Sequence, residues 1–164
     1  SYEYDPCDYL KAKEFQLKRD NPAYKKSRQD DLDNMKTGIM GYKGRIHYEC
    51  APCIDTWIDE LDGLNKADYY TAIAKRMDIE IHRSYRLFPC NYIATDRLNG
   101  NDNNAGHYTK ADVEKFDKYI EQQLAKINIP NKDNNFLRNC MLTMYSNPLV
   151  NYTEAMKQNE QQAG

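Results

Sequence analysis

The chain has 164 residues, of which 40% are apolar, 12% aromatic and 29% charged. These proportions are typical of one globular domain, or of part of a domain with an appendage. The net charge of −2 gives no electrostatic basis for binding nucleic acid. No apolar run approaches the roughly 18 residues that a membrane-spanning helix needs. Fourteen tyrosines against four phenylalanines predict many half-buried packing positions with a polar edge.

The first 53 residues predict the closing part of an α/β layer. The opening Ser1–Pro6 alternates like a strand already in progress and stops at a proline, so we expect it to belong to a longer polypeptide. Asp8 can cap a helix, and Asn21-Pro22 ends it. A second polar helix follows, and Gly41 and Gly44 then lead into a second strand. These elements are a helix over Asp8–Arg19, a helix over Ser27–Lys36 and a strand over Arg45–Cys50.

From Ile54 onward the spacing of apolar residues predicts helices only. The longest apolar stripe follows Lys66–Arg86 at intervals of three and four residues. Thr109, with Asp112 three residues later, is a cap signature for a helix with apolar residues at Val113, Phe116, Ile120, Leu124 and Ile127. Further helices are expected over Pro89–Asn99 and Asp133–Tyr145, and fraying is expected after Tyr152. The fold class is therefore mostly α with a small α/β remnant.

The cysteines suggest both a compartment and a possible chemistry. Five scattered cysteines do not make a secreted disulfide framework, so a reducing, cytoplasmic setting is expected. Cys50 and Cys53 form a Cys-x-x-Cys between a strand and a helix start, where amide groups stabilise a thiolate. A dithiol oxidoreductase would need further strands downstream, so two packed cysteines are the preferred interpretation. His47 could join both thiols as a third zinc ligand, but no fourth ligand follows, and we assign no metal.

The histidines provide one candidate acid–base pair. His107 and Asp112 have the His-x-x-x-x-Asp spacing in which a carboxylate orients an imidazole that deprotonates a hydroxyl. Asp112 also stands where a capping acid would stand after Thr109, and this second interpretation is preferred. His82 lies beside an apolar helix stripe, where packing is expected. We therefore assign no catalytic residue and keep His107 and Asp112 as the only candidates.

Three stretches resemble a known family. Ser1–Tyr9, Gly41–Tyr48 and Tyr85–Ala94 are similar to the C-terminal part of bacterial 1-acyl-glycerol-3-phosphate acyltransferase-like proteins of the hemolysin-associated kind. The resemblance implies that residues 1–53 end the acyltransferase α/β domain and that residues 54–164 form a helical C-terminal extension. Ser1–Pro6 would then end a central strand, and Arg45–Cys50 would be a late strand.

The resemblance also implies a function for the parent protein. Such enzymes use an upstream His-x-x-x-x-Asp pair to transfer an acyl group from acyl-CoA or acyl-carrier protein to a lysophospholipid or glycerol phosphate hydroxyl. That pair is absent here, so the chain alone is expected to be inactive and to hold no cofactor. The resemblance also implies a cytoplasmic parent protein that associates with the inner membrane only peripherally, through segments upstream of this chain. Two alternatives stay open: a helical binding module that uses its tyrosine-rich faces, and a dithiol oxidoreductase that uses Cys50 and Cys53.

Overall fold

The computed structural model describes residues 1–162, with side chains through residue 158. Within that range the chain forms six α-helices and no β-strand, so the prediction of a mostly helical fold is confirmed. The helices are α1 (Asp8–Asp20), α2 (Arg28–Met40), α3 (Lys66–Arg83), α4 (Pro89–Asn99), α5 (Lys110–Ala125) and α6 (Asn134–Gln162).

The two predicted strands are reduced to one short antiparallel contact. Tyr2 and Ile46 form an isolated bridge, the Glu3 N–H donates to the Arg45 carbonyl at 2.9 Å, and the Tyr4 N–H donates to the Lys43 carbonyl at 3.0 Å. Two short extended segments without a third strand cannot hold a regular ladder in water. The predicted strands over Ser1–Pro6 and Arg45–Cys50 are therefore wrong for the described part of the chain, which shows no α/β sheet.

The chain divides into two compact units, which are described separately. The larger unit contains residues 2–46 and 87–149, and the smaller contains Ser1, residues 47–86 and the chain from residue 150 onward. The predicted boundary between residues 53 and 54 stays a prediction.

The core of the larger unit forms around α5. Phe116, Ile120 and Leu124 follow one another at intervals of four residues, and each is at least 97% buried. They join buried side chains of α4 and of the first half of α6 in one apolar cluster. This cluster includes Ile93, Ala94, Leu137 and Met141. The apolar stripe predicted for this helix is therefore confirmed as a core-facing stripe.

Several helix ends lie where capping chemistry predicts them. Ser27 and Thr109 each form a capping box with the aspartate three residues later, and α4 begins at Pro89. Asp8 differs from its prediction. It is the first residue of α1 rather than its cap, and the N-cap position is held by Cys7 without a side-chain hydrogen bond. The carboxylate of Asp8 is buried instead.

The smaller unit is built on α3, which the side chain of Asn65 caps by accepting from the Ala67 and Asp68 N–H groups. Trp57 is 7% exposed, and the guanidinium of Arg76 lies 4.5 Å from its ring centroid. The helix-like stretch expected from Ile54 forms two short 3₁₀ turns, Ile54–Thr56 and Ile58–Leu61. No side chain of α3 is fully buried.

The last helix extends further than the sequence predicts. α6 contains Pro148 and continues to Gln162, so the expected fraying after Tyr152 is wrong as far as the structure describes the chain. Residues 154–158 are Glu, Ala, Met, Lys and Gln, which all favour helix strongly. Ala163 and Gly164 lie outside the described residues.

Candidate functional site

The structure gives His107 and Asp112 separate local partners. His107 ends a short 3₁₀ turn, and its ring stacks on Tyr92 with centroids 4.2 Å apart. Asp112 accepts from the Thr109 N–H at 2.9 Å and from the Thr109 hydroxyl at 2.7 Å. These two hydrogen bonds lower the pKa of Asp112. Because one Asp112 oxygen accepts both capping bonds, this carboxylate is engaged in starting α5.

Cys50 and Cys53 are both exposed and unbridged. Cys53 precedes a 3₁₀ turn of three residues, which is too short to supply the macrodipole of an α-helix. His47 pairs with Glu49 at 2.9 Å. No group of three potential metal ligands occurs in the part of the chain that the structure describes. His82, the remaining histidine, lies 5.4 Å from Tyr85, ring centroid to ring centroid.

The most unusual feature of the larger unit is a carboxyl group buried at the start of α1. Asp8 is fully buried. One of its oxygens accepts from the Tyr145 hydroxyl at 2.7 Å, and the other accepts from the Gln123 amide at 2.7 Å and from the Tyr9 N–H at 2.5 Å. A buried carboxyl group needs such donors, because an unpartnered one would cost several kcal/mol.

A second layer of hydrogen bonds holds these donors in place. The Tyr145 hydroxyl accepts from the Asp5 N–H at 3.1 Å, and the Tyr119 hydroxyl donates to the Asp5 carbonyl at 3.2 Å. The Gln123 amide also donates to the Tyr119 hydroxyl at 2.6 Å. The network therefore ties the turn before α1 to α5 and α6. Tyr145 is buried and Tyr119 is partly buried, and both have hydrogen-bonded hydroxyls, which agrees with the packing positions with a polar edge that the composition predicts.

Burial dominates the electrostatics of this network. It raises the pKa of Asp8 to about 6, although hydrogen bonds from the tyrosines work in the opposite direction. Burial, followed by the charge of Asp8, also raises the pKa values of Tyr119 and Tyr145. All three groups hold their protons more strongly than in water because burial disfavours their charged forms.

Glu3 is a second buried carboxylate, with cationic partners instead. It is 4% exposed, and its oxygens accept from the Arg45 guanidinium at 3.1 and 3.3 Å, from the Arg45 N–H at 3.2 Å and from the Lys115 ammonium at 3.2 Å. Burial raises its pKa, but the hydrogen bonds from Arg45 and Lys115 outweigh burial, and the net pKa lies below the ordinary value. Glu3 therefore stays ionised.

Gly44 makes this arrangement possible. Its φ is +64°, and a β-carbon there would lie 2.7 Å from a Glu3 carboxylate oxygen and 2.9 Å from the Tyr4 ring. Only glycine combines this backbone conformation with so close an approach.

Asp96 is the third buried carboxylate of the larger unit, and it organises a loop. It is 3% exposed. It accepts from the backbone N–H and the side-chain amide of Asn104, and from the Tyr108 hydroxyl at 2.8 Å. The polar loop between α4 and α5 is thus attached to α4.

An open groove lies between α1 and α6 in the same unit. It has a volume of about 500 Å³ and is lined by Phe15, Phe136, Cys140 and Met144 on its apolar walls. The cations at its rim are already paired. Lys18 bonds to Glu14 at 2.6 Å, and Arg19 bonds to Asp133 at 2.9 Å.

Asp8 and Glu3, which organise the larger unit, are not among the site residues predicted from sequence. An aspartate at a helix start can be either an N-cap or a buried acid, so the sequence does not distinguish the two roles of Asp8. Glu3 lies in a segment whose alternating pattern predicts a strand. The abundance of tyrosine was the one signal of a buried polar network. Because these carboxylates are buried and fully hydrogen-bonded, they position backbone segments, and a substrate cannot reach them in this conformation.

No helix in the described range is both long enough and apolar enough to cross a membrane. Comparison of the chain with protein-family models, with curated proteins and with solved structures found no match.

Proposed function

We propose that the chain is the non-catalytic C-terminal part of a glycerolipid acyltransferase, as the resemblance of its three stretches implies. One observation supports this proposal. Parts of all three stretches, far apart in sequence, meet within the larger unit. The Glu3 N–H donates to the Arg45 carbonyl at 2.9 Å, the Cys90 thiol donates to the Glu3 carbonyl at 3.1 Å, and the Arg45 guanidinium lies 5.1 Å from the Phe88 ring centroid.

Convergence supports a common structural origin for the three stretches. Chance matches between unrelated chains have no reason to meet in space, whereas segments that build one packing centre do. Here the centre is Glu3, which receives backbone, guanidinium and thiol contacts. In this proposal the short pairing of residues 2–4 with 43–46 is the edge of an α/β sheet, and upstream segments supply its other strands.

The proposal places acyl transfer outside the described residues. The upstream segments would supply the His-x-x-x-x-Asp pair and bind the lysophospholipid and the acyl-CoA or acyl-carrier-protein donor. The role of this chain would be structural, since its buried carboxylates are engaged in hydrogen bonds and its His107 and Asp112 have separate partners.

The test begins with the gene. We expect an in-frame region before Ser1 that encodes a His-x-x-x-x-Asp pair, and a start codon immediately before Ser1 would end the proposal. The protein including that region should transfer acyl groups from acyl-CoA or acyl-carrier protein to lysophosphatidic acid. Replacing the upstream histidine by alanine should abolish transfer, whereas His107→Ala should retain it. Loss of activity in the His107→Ala protein, with its fold intact by circular dichroism, would contradict this assignment.

A helical binding module is the second candidate function, and a specific observation favours it. The apolar side chains of α2 are exposed, and none of the residues of this helix is buried. Helices in globular proteins bury their apolar side, so an exposed one marks a surface that another molecule covers. If the protein that includes the upstream region binds another molecule through α2 but transfers no acyl group, this function is favoured over the first.

A further inference from the structure

Helix α2 is oriented with its apolar side toward solvent. The side that contacts the rest of the larger unit carries small and polar residues at helical spacing: Asp30, Asn34, Thr37, Gly38 and Gly41. The opposite side carries Leu32, Met35, Ile39 and Met40, whose exposed fractions are 58%, 63%, 73% and 78%. This is the reverse of the usual orientation of an amphipathic helix on a core.

Specific contacts fix this orientation. The Cys7 thiol donates to the Asn34 carbonyl at 3.3 Å. A β-carbon on Gly38 would lie 3.5 Å from that thiol, and one on Gly41 would overlap the Pro6 ring. Position 41 therefore needs glycine for this end of α2 to approach the start of α1, and position 38 has room for no more than a β-carbon in contact with Cys7. Rotation of the helix to bury Leu32 or Ile39 would place large side chains where the spacing to Cys7 and Pro6 accommodates at most a β-carbon.

The exposed side has the spacing of a helix–helix seam. Leu32, Met35 and Ile39 follow one another at intervals of three and four residues. Tyr42 comes after the extended cap residue Gly41 and adds a further exposed ring near the helix end, at 65% exposure. This alternation is the pattern by which one helix packs lengthwise against another. It indicates a helical partner.

The charges of α2 argue against a lipid surface. Helices that lie on membranes carry Lys and Arg on their polar side. α2 contains three aspartates, Asp30, Asp31 and Asp33, against the two cations Arg28 and Lys36.

The same charges are complementary to a second α2 in the opposite direction. Asp30 lies on the inner side in the capping box with Ser27, and Asp31 pairs with Lys26 at 3.2 Å. Asp33 is exposed in the first half of the helix, and Lys36 is exposed in the second half. An antiparallel pair about a two-fold axis brings the acidic half of each helix beside the basic half of the other. We propose that the Leu32–Met35–Ile39–Tyr42 seam is a self-association surface, on which a second copy of this chain docks with its α2 antiparallel.

The size of the seam sets the strength of this contact. Its large side chains, each more than half exposed, offer roughly 500 Å² of apolar surface per copy. Two copies would bury about 1,000 Å², which is the lower limit for a specific interface. The dimer should therefore be weak and in exchange with the monomer.

Sedimentation equilibrium of the whole chain tests the proposal over about 1 µM to about 1 mM, the range in which weak complexes dissociate. We expect a reversible monomer–dimer equilibrium. Ile39→Lys should weaken it at least about tenfold without changing the circular dichroism spectrum, since a lysine in each seam puts two like charges in the interface. The matched control is Tyr70→Lys, at an apolar residue of α3 that is 59% exposed, and it should leave dimerisation unchanged.

Charge reversal tests the antiparallel arrangement. Lys36→Glu and Asp33→Lys should each weaken self-association, and an equimolar mixture of the two variants should form a heterodimer more readily than either forms a homodimer. A chain that stays monomeric throughout the range would overturn the proposal. A dimer that persists in the Ile39→Lys variant would also overturn it. Binding of the monomer to phospholipid vesicles would do the same if Ile39→Lys abolished that binding.

Discussion

The Asp8 carboxyl group allows a direct test of the buried network, because burial raises its pKa from 3.8 to about 6. In the unfolded chain the group loses its proton near the lower value, whereas in the folded chain it keeps the proton until the higher one. Folding is therefore favoured by this group at low pH, and the advantage is lost as pH rises from about 4 to about 6. Two pKa units correspond to about 3 kcal/mol.

Asp8→Asn removes this titration and keeps much of the geometry. The asparagine oxygen can still accept from Gln123 and Tyr9, and its amide can donate to the Tyr145 hydroxyl. One rearranged hydrogen bond costs about 1 kcal/mol at every pH. Relative to the unsubstituted chain, the variant should gain about 2 kcal/mol in free energy of unfolding between pH 4.5 and pH 7.5.

Urea unfolding followed by circular dichroism at several pH values measures this difference. The quantity to compare is the free energy of unfolding of the variant minus that of the unsubstituted chain, because titration of all other groups then cancels. Asp78→Asn, at an exposed aspartate of α3, is the control for loss of a charge and should show no such rise. A constant difference between the Asp8→Asn and unsubstituted chains across the pH range would refute the reasoning, since Asp8 would then titrate alike in the folded and unfolded chains.

Three further predictions follow from local geometry. Gly44→Ala should destabilise the larger unit by about 2–4 kcal/mol in urea unfolding, because it combines positive-φ strain with contact on Glu3. Gly100 has the same φ of +64° but open space around it, so Gly100→Ala should cost only about 1 kcal/mol. Equal costs for the two substitutions would exclude the contact with Glu3. Thr109→Ala should cost about 1 kcal/mol through loss of the α5 cap, and Thr109→Ser should restore stability if the hydroxyl is responsible. Alkylation of Cys50 and Cys53 should proceed at equal rates, as expected of two exposed, unbridged thiols, whereas selective alkylation of one of them would support the dithiol oxidoreductase.

The helices were predictable because their signals are local. Pro89, Ser27 and Thr109 mark helix starts through chemistry confined to one turn, and the stripe from Phe116 to Leu124 shows the helical period directly. The predicted strands were wrong for the opposite reason. Alternation in residues 1–6 and 45–50 indicates extended chain, but a sheet also needs neighbouring strands, and the described residues supply only one bridge between them.

The buried carboxylates could not be located from sequence because their partners are distant along the chain. Asp8 meets Gln123 and Tyr145, which lie 115 and 137 positions away, and Glu3 meets Lys115, 112 positions away. A single sequence contains no signal for such pairings. The orientation of α2 could not be predicted either. The spacing of its apolar residues shows that the helix has an apolar side, but not which side contacts the rest of the larger unit.

Glu3 and Asp8 give the larger unit two opposing responses to pH. Cationic partners lower the pKa of Glu3, so its contribution to stability is present above the unfolded pKa of 4.5 and is lost as pH falls through its folded pKa. Burial, which the neutral hydrogen-bond donors do not outweigh, raises the pKa of Asp8, so its contribution to stability grows as pH falls from about 6 to about 4. The two carboxylates lie only five residues apart, on a segment that both α5 and α6 contact. The signs of their pKa shifts differ because cationic partners outweigh burial at Glu3, whereas burial outweighs the hydrogen bonds at Asp8. In the Asp8→Asn variant, which keeps Glu3, the free energy of unfolding should therefore fall at acidic pH as Glu3 is protonated. Adding Glu3→Gln should remove the pH dependence that these two groups contribute.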